Sequence, residues 1–246
     1  MNKYLFLCGC ARSGTSALWR LLTANEKLAI GLERYINRCS EQFGLVPELY
    51  KKDRFYSLQE GDTHFKSLSK GGSGAYYTQL EERYESATYV GDKIPRLYNY
   101  YNQLFHNFPA AKVIFIYRNV FDVAQSFNNR FNDPEDGWNR DYLKAIKSWN
   151  TSLSETLSQL EIRSSNFFCI AYEDLFFKDY DFNHIYNFLE IASNGSLEKR
   201  FAVLNKKAQE LESKRQMQLS SVQKEEICIK ADFTSYNMIA EAAANQ

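Results

Sequence analysis

The residues best equipped for chemistry stand near the start of the chain, in Gly9-Cys10-Ala11-Arg12-Ser13-Gly14-Thr15-Ser16. The glycines let backbone come close to a ligand, Ser13, Thr15 and Ser16 offer hydroxyls, and Arg12 offers a cation. An apolar run, Tyr4-Leu5-Phe6-Leu7-Cys8, precedes them, and Ala17-Leu18-Trp19-Arg20-Leu21-Leu22 follows with the spacing of a one-sided helix. Strand, tight loop and helix start together make an anion cradle, because the first amides of a helix have no partner within it.

Set against the phosphate-loop pattern G-x-x-x-x-G-K-[ST], Gly9, Gly14 and Ser16 fall in register and Thr15 takes the lysine position. That lysine serves the β and γ phosphates of a nucleoside triphosphate, so this loop suits a shorter or differently charged group. The plainer alternative is a glycine turn between strand and helix, against which stand its place at the first such junction and the added Arg12.

Three further groups fall where open parallel sheets carry their sites, at the carboxyl ends of strands. Glu33 follows the run Leu28-Ala29-Ile30-Gly31 and can serve as a general base, or pair with Arg34 or Arg38. Lys93 closes Thr88-Tyr89-Val90-Gly91-Asp92-Lys93 and can reach an anion at the first loop, or pair with Asp92. Arg118 ends the most apolar run, Lys112 to Tyr117, and Ser126 stands two turns further on. Guanidinium and hydroxyl so spaced can grip a second phosphate, unless Arg118 is taken up by Asp122. A triphosphatase would put an acid at this strand end to hold Mg²⁺; a cation stands there instead, and no metal is expected.

The elements that must carry these groups alternate strand and helix, which predicts an α/β fold: a phosphate-loop-like three-layer α/β/α arrangement around a central parallel sheet. Residues 139 to 162 read as one long amphipathic helix, 166 to 172 as a buried strand, 182 to 191 as a helix, and the last fifty as charged helices. Residues 44 to 88 read as irregular around Lys70-Gly71-Gly72-Ser73-Gly74, as a substrate lid or a surface insertion.

At 246 residues the chain is expected to form one domain over 1–246, with an irregular substrate or lid region at about 34–88. Thirty Lys and Arg balance thirty Asp and Glu, so no global field points to nucleic acid as a partner, and any anion site is local. Five scattered cysteines suit reduced thiols. The N-terminal apolar run is too short for a signal peptide and no stretch is long enough to span a bilayer, so a cytoplasmic location is expected.

In sequence the chain resembles the sulfotransferases that use 3′-phosphoadenosine 5′-phosphosulfate (PAPS), in particular the single-domain bacterial type. The resemblance rests on residues 9–16 quoted above, on Ile116-Tyr117-Arg118-Asn119-Val120-Phe121-Asp122-Val123-Ala124-Gln125-Ser126-Phe127 and on Tyr172-Glu173-Asp174-Leu175. Gly91-Asp92-Lys93-Ile94-Pro95, Lys214-Arg215, Ala231-Asp232-Phe233 and Tyr236 also match, so that it spans nearly the whole chain. It implies that Arg12, Ser13, Gly14, Thr15 and Ser16 hold the 5′-phosphosulfate, that Arg118 and Ser126 hold the 3′-phosphate, that Tyr172 lies near the adenine, and that Lys214 or Arg215 closes over the nucleotide.

Two departures stand out. Arg12 replaces the lysine of many animal cytosolic members, which keeps charge but changes geometry, and Asn119-Val120 replaces the more usual Asp-Pro. The resemblance implies a catalytic base without a fixed motif. Glu33 matches the glutamate of bacterial members, His64 ranks second, and His106 and His184 fall in helices. Glu33, Lys93 and Arg12 are the expected catalytic groups, acting in line on a hydroxyl or amine of a small-molecule, glycan or lipid acceptor and releasing 3′,5′-ADP. The competing expectations are a degenerate phosphate-loop kinase and a non-catalytic nucleotide-binding module.

Overall fold

The apolar runs pair side by side into one sheet. The computed structural model describes residues 3–59, 61–62, 74–213 and 218–246. Within them lie strands β1 (Lys3–Cys8), β2 (Leu28–Leu32), β3 (Tyr89–Lys93), β4 (Lys112–Tyr117) and β5 (Phe167–Ala171). Their order is β2-β3-β1-β4-β5, and every neighbouring pair is parallel. Helices follow as α1 (Thr15–Leu22), α2 (Lys52–Tyr56), α3 (Gly74–Arg83), α4 (Tyr101–Asn107), α5 (Val120–Phe131), α6 (Tyr142–Arg163), α7 (Tyr172–Phe177), α8 (Asn183–Leu189), α9 (Ser196–Ser213), α10 (Ser221–Lys230) and α11 (Phe233–Ala244).

Near-continuous apolar strands are what a parallel sheet covered on both faces requires, and alternate residues of each strand supply the two cores. Phe6, Cys8, Val113 and Phe115 join Leu104, Phe127, Trp149 and Ile239 on one face. Leu5, Leu7, Ile114 and Ile116 join Leu18, Leu21, Ile185 and Leu197 on the other. The expected three-layer α/β/α architecture is therefore present. The chain leaves β1 for β3 and β2 on one side and later crosses to β4 and β5 on the other, so a crevice opens outside the carboxyl end of β1.

One expectation is corrected here. The stretch from 44 to 88 contains 3-10 turns at Pro47–Tyr50 and Tyr84–Ser86 as well as α2 and α3. It buries Leu45, Leu49, Tyr50, Phe55, Tyr77 and Leu80. Tyr50 meets Phe6 edge-on with ring centroids 5.6 Å apart and Phe108 at 5.8 Å, so aromatic packing holds the described part of this stretch against the sheet. Of the glycine cluster, only Gly74, at the start of α3, belongs to the described residues. Helix α6 also starts later than expected, because the Asp141 side chain caps it by accepting from the amide of Lys144 at 3.0 Å. Among the described residues no helix is long and apolar enough to cross a membrane.

Candidate active site

The loop after β1 is held open by its backbone. Gly14 sits in the left-handed region at φ 97°, and a Cβ there would lie 2.4 Å from the Tyr172 ring, so glycine alone fits both the turn and its neighbour. Arg12 also takes a left-handed φ of 72°, uncommon for a residue with a side chain and of the kind concentrated at functional sites. The amide of Ser13 donates to the Cys10 carbonyl at 3.0 Å, closing the turn. No side chain caps α1, so the amides of Thr15 and Ser16 point outwards without an acceptor inside the helix. Ser13 itself is buried, and its hydroxyl has no hydrogen-bond partner among the described residues.

Register across the sheet delivers the next groups. Leu32 of β2 pairs with Lys93 of β3, which sets Glu33 beside Lys93. The Lys93 ammonium, only 1 % exposed, donates to Glu33 Oε1 at 2.5 Å and to the Ser16 hydroxyl at 3.3 Å. Neither alternative partner of the sequence reading is taken up, since Lys93 does not pair with Asp92 nor Glu33 with Arg34 or Arg38. Both arginines go to Asp62 instead, at 2.9 Å and 3.0 Å, with Arg54 joining them at 2.6 Å.

Glu33 has φ 52°, and the turn after it is tied down by Asp92. The two Asp92 oxygens accept from the amides of Arg34 at 3.0 Å and Tyr35 at 2.8 Å. Burial pushes the Asp92 carboxyl up to about 7 against those amides and the nearby Lys93 charge.

On the other side of the loop, Arg12 Nε donates to the Ser126 hydroxyl at 2.9 Å, which joins the first loop to α5. Arg118 forms an ion pair with Asp122 at 3.1 Å, the alternative foreseen from sequence, and also lies over the Tyr172 ring at 4.1 Å. These groups open on a cleft of about 900 Å³ whose walls include Arg12, Gly14, Thr15, Ser16, Glu33, Arg118, Ser126 and Tyr172. Burial lowers the pKa of Arg12, and the charges of Arg130 and Arg118 lower it further against the pull of Asp136, the mark of a cleft with surplus positive charge.

Eight of the expected residues therefore share one cleft, while Lys93 stands behind it and Ser13 beneath it. His64, Lys214 and Arg215 lie outside the described residues. The sequence reading missed Arg96, Arg130, Trp138 and Arg140, which also line the cleft. Arg130 was legible, because it lies four residues after Ser126 on the same helix and so on the same face. Trp138 and Arg140 sit in the connection before α6, where no period marks them; Arg130 and Arg140 stack on Trp138 at 4.3 Å and 5.6 Å.

A parallel sheet with an uncapped, glycine-gated helix start, a hydroxyl-rich loop and converging arginines gives an α/β protein a cleft at the carboxyl end of β1 whose chemistry suits a phosphate-like anion. A sequence model described as the sulfotransferase family matches residues 5–194, more than half of the chain. The chain belongs to the sulfotransferase family, whose members are transferases of sulfuryl groups.

Solved structures of similar fold include a sulfotransferase domain from the curacin biosynthetic pathway, with 18% identity and a TM-score of 0.54 over 82% of this chain and 78% of that one. The sulfotransferase domain of the Synechococcus PCC 7002 olefin synthase has 20% identity and a TM-score of 0.56 over 81% of this chain and 77% of that one. Sulfotransferase STF9 of Mycobacterium avium has 14% identity and a TM-score of 0.51 over 87% and 69%. No curated protein matches the chain.

Proposed function

We propose that the protein transfers the sulfuryl group of PAPS to a hydroxyl of an acceptor, with Glu33 as general base. The observation that carries this reading is Lys93, buried and bonded at once to Ser16 of the anion loop and to Glu33. One lysine thus ties a potential base to the cradle for the reacting group. The cleft fits the donor on three counts: unpartnered amides at the start of α1, a Gly14 with no room for a Cβ, and arginines exceeding the acids around them.

When bound, PAPS supplies a sulfuryl group on a phosphate leaving group, which departs as 3′,5′-ADP. Arg12 and the amides of Thr15 and Ser16 hold the 5′-phosphosulfate, with Gly14 giving the approach and the Ser13 and Ser16 hydroxyls beside it. Arg118 and Ser126 hold the 3′-phosphate, and the Tyr172 ring faces the adenine. Glu33 takes the acceptor's proton as its oxygen bonds to sulfur, and the electron pair of the breaking S–O bond passes to the leaving phosphate. Arg12 stabilises that growing charge directly, and Lys93 does so from behind the loop through Ser16.

Calorimetry with 3′,5′-ADP, 5′-ADP and ATP with Mg²⁺ tests the donor assignment. A clear preference for 3′,5′-ADP is expected, and equal or tighter binding of ATP with Mg²⁺ would sink it in favour of a kinase. Glu33→Gln is expected to keep 3′,5′-ADP binding and to lose transfer by roughly 10²-fold or more, the usual scale of general-base catalysis. Unchanged turnover would remove Glu33 from the mechanism.

A further inference from the structure

A second cavity, of about 480 Å³, opens beside the cleft. Arg96, Asn139 and Arg140 line both, so the two adjoin. Its other basic groups, Lys144 and Lys147, stand in the first two turns of α6. No acidic side chain lines it. Among the described residues, none of these four cations forms an ion pair.

Left to itself, that arrangement is unfavourable twice over. Lysines near a helix start oppose the helix dipole, which favours negative charge there. Arg140 is half-buried, and the nearby charge of Arg96 repels its own. Lys144 and Lys147 are exposed, and with Arg96 and Arg140 they line one concavity.

The cavity also has a definite side. It meets the cleft at Asn139, Arg140 and Arg96, the last of them three residues beyond Lys93, while Arg118, Ser126 and Tyr172 line the cleft alone. Resting on the donor assignment above, the basic cavity therefore falls on the acceptor's side of the reacting centre.

We propose that this cavity is an acceptor subsite for a phosphate group, so that the acceptor is a phosphorylated hydroxyl compound. Arg96, Arg140, Lys144 and Lys147 seat the phosphate while the hydroxyl faces Glu33. A dianion offsets four unpaired cations better than a carboxylate does, and the guanidinium forks of the two arginines match phosphate oxygens.

The test is calorimetric titration of phenyl phosphate, benzoate and phenyl glucoside into protein saturated with 3′,5′-ADP. Saturable binding of phenyl phosphate is expected, at least tenfold tighter than that of benzoate, with no binding of the glucoside. The double variant Lys144→Gln/Lys147→Gln is expected to weaken phenyl phosphate at least tenfold and to leave 3′,5′-ADP affinity unchanged. Phenyl phosphate that fails to bind, or binds the double variant equally well, overturns the subsite, and benzoate binding as tightly overturns its preference for phosphate. A failure of 3′,5′-ADP itself to bind shows in the first titration and counts against the donor assignment. Phenyl phosphate titrated into the free protein and into Arg118→Ala then locates the subsite: binding that the double variant weakens and Arg118→Ala spares supports it, and the reverse overturns it.

Discussion

Asp62 and Asp92 are both wholly buried, and their pKa values move in opposite directions. For Asp62, burial acts to raise the value, but hydrogen bonds from Arg54, Arg34 and Arg38 overcome it and hold the carboxyl at about 2. For Asp92, burial wins against two backbone amides and pushes it up to about 7. The difference lies in where the chain places its cations. Three arginines close on Asp62 and none of them faces the cleft, whereas Lys93, next to Asp92 in sequence, turns to Glu33 and Ser16. Positive charge saturated by a buried acid is scaffold, while positive charge left in excess around a cavity, as at Arg12, Arg96 and Arg140, is what the two proposals assign to ligands.

The comparison breaks hardest at Asp62. Asp62→Ala leaves the fully buried Arg34 without a counter-charge, and losing one partner of a buried ion pair costs about 3–5 kcal/mol. Denaturant unfolding is expected to show that loss, or the variant to fail to fold; a loss below about 1 kcal/mol would mean that the arginines find water or other acids. The pH dependence has the sign of a depressed carboxyl. The stability from Asp62 is complete above the unfolded value near 4 and is lost as the pH falls towards about 2.

Arg118→Ala is the opposite case. Its Asp122 partner is one turn away on the same segment and each keeps some exposure, so the expected loss of stability is about 1 kcal/mol. A charge-assisted contact to a ligand is worth more, about 1.5–3 kcal/mol, so 3′,5′-ADP affinity is expected to fall on the order of 10- to 100-fold. A variant that loses stability and keeps affinity would place Arg118 with the scaffold arginines.

These contrasts also show what was legible in the sequence. The anion loop and β4 were, because spacing along a few residues fixes a strand, a glycine turn and a helix start. Glu33 was placed correctly after β2, but its partner Lys93 is 60 residues away and adjacent only through the β2–β3 register. The Asp62 cluster was not legible, since its three arginines come from 8 to 28 residues away with no period to connect them. Nor were Trp138 and Arg140, on an aperiodic connection, or the aromatic packing of Tyr50 and Phe55 in the described part of residues 44 to 88. Spacing marked Arg118 and Ser126 as a grip for a second phosphate, and the resemblance supplied its identity as the 3′-phosphate and the role of Tyr172; the structure brings the three to one cleft, and their contact with the donor belongs to the proposal.

The smallest expected effect sharpens the comparison from the side of Asp92. Its folded pKa, about 7, lies above the unfolded value of 3.8, so the folded state binds the proton more tightly. Stability from this group is therefore complete below pH 4, declines as the pH rises, and reaches its floor above about 7. Between pH 6 and pH 8 the decline amounts to about 1 kcal/mol, readable from urea midpoints at the two values.

Asp92→Asn removes the titration and, because its amide nitrogen cannot accept, one of the two hydrogen bonds to the turn after Glu33. The variant is expected to show a flatter pH profile, near-normal 3′,5′-ADP binding and slower turnover, since the turn that presents Glu33 is loosened while the anion loop is untouched. A profile as steep as that of the parent protein would show that another group titrates in this range, and would leave Asp62, which sets only the acid limit, as the one member of this pair whose environment governs stability against pH.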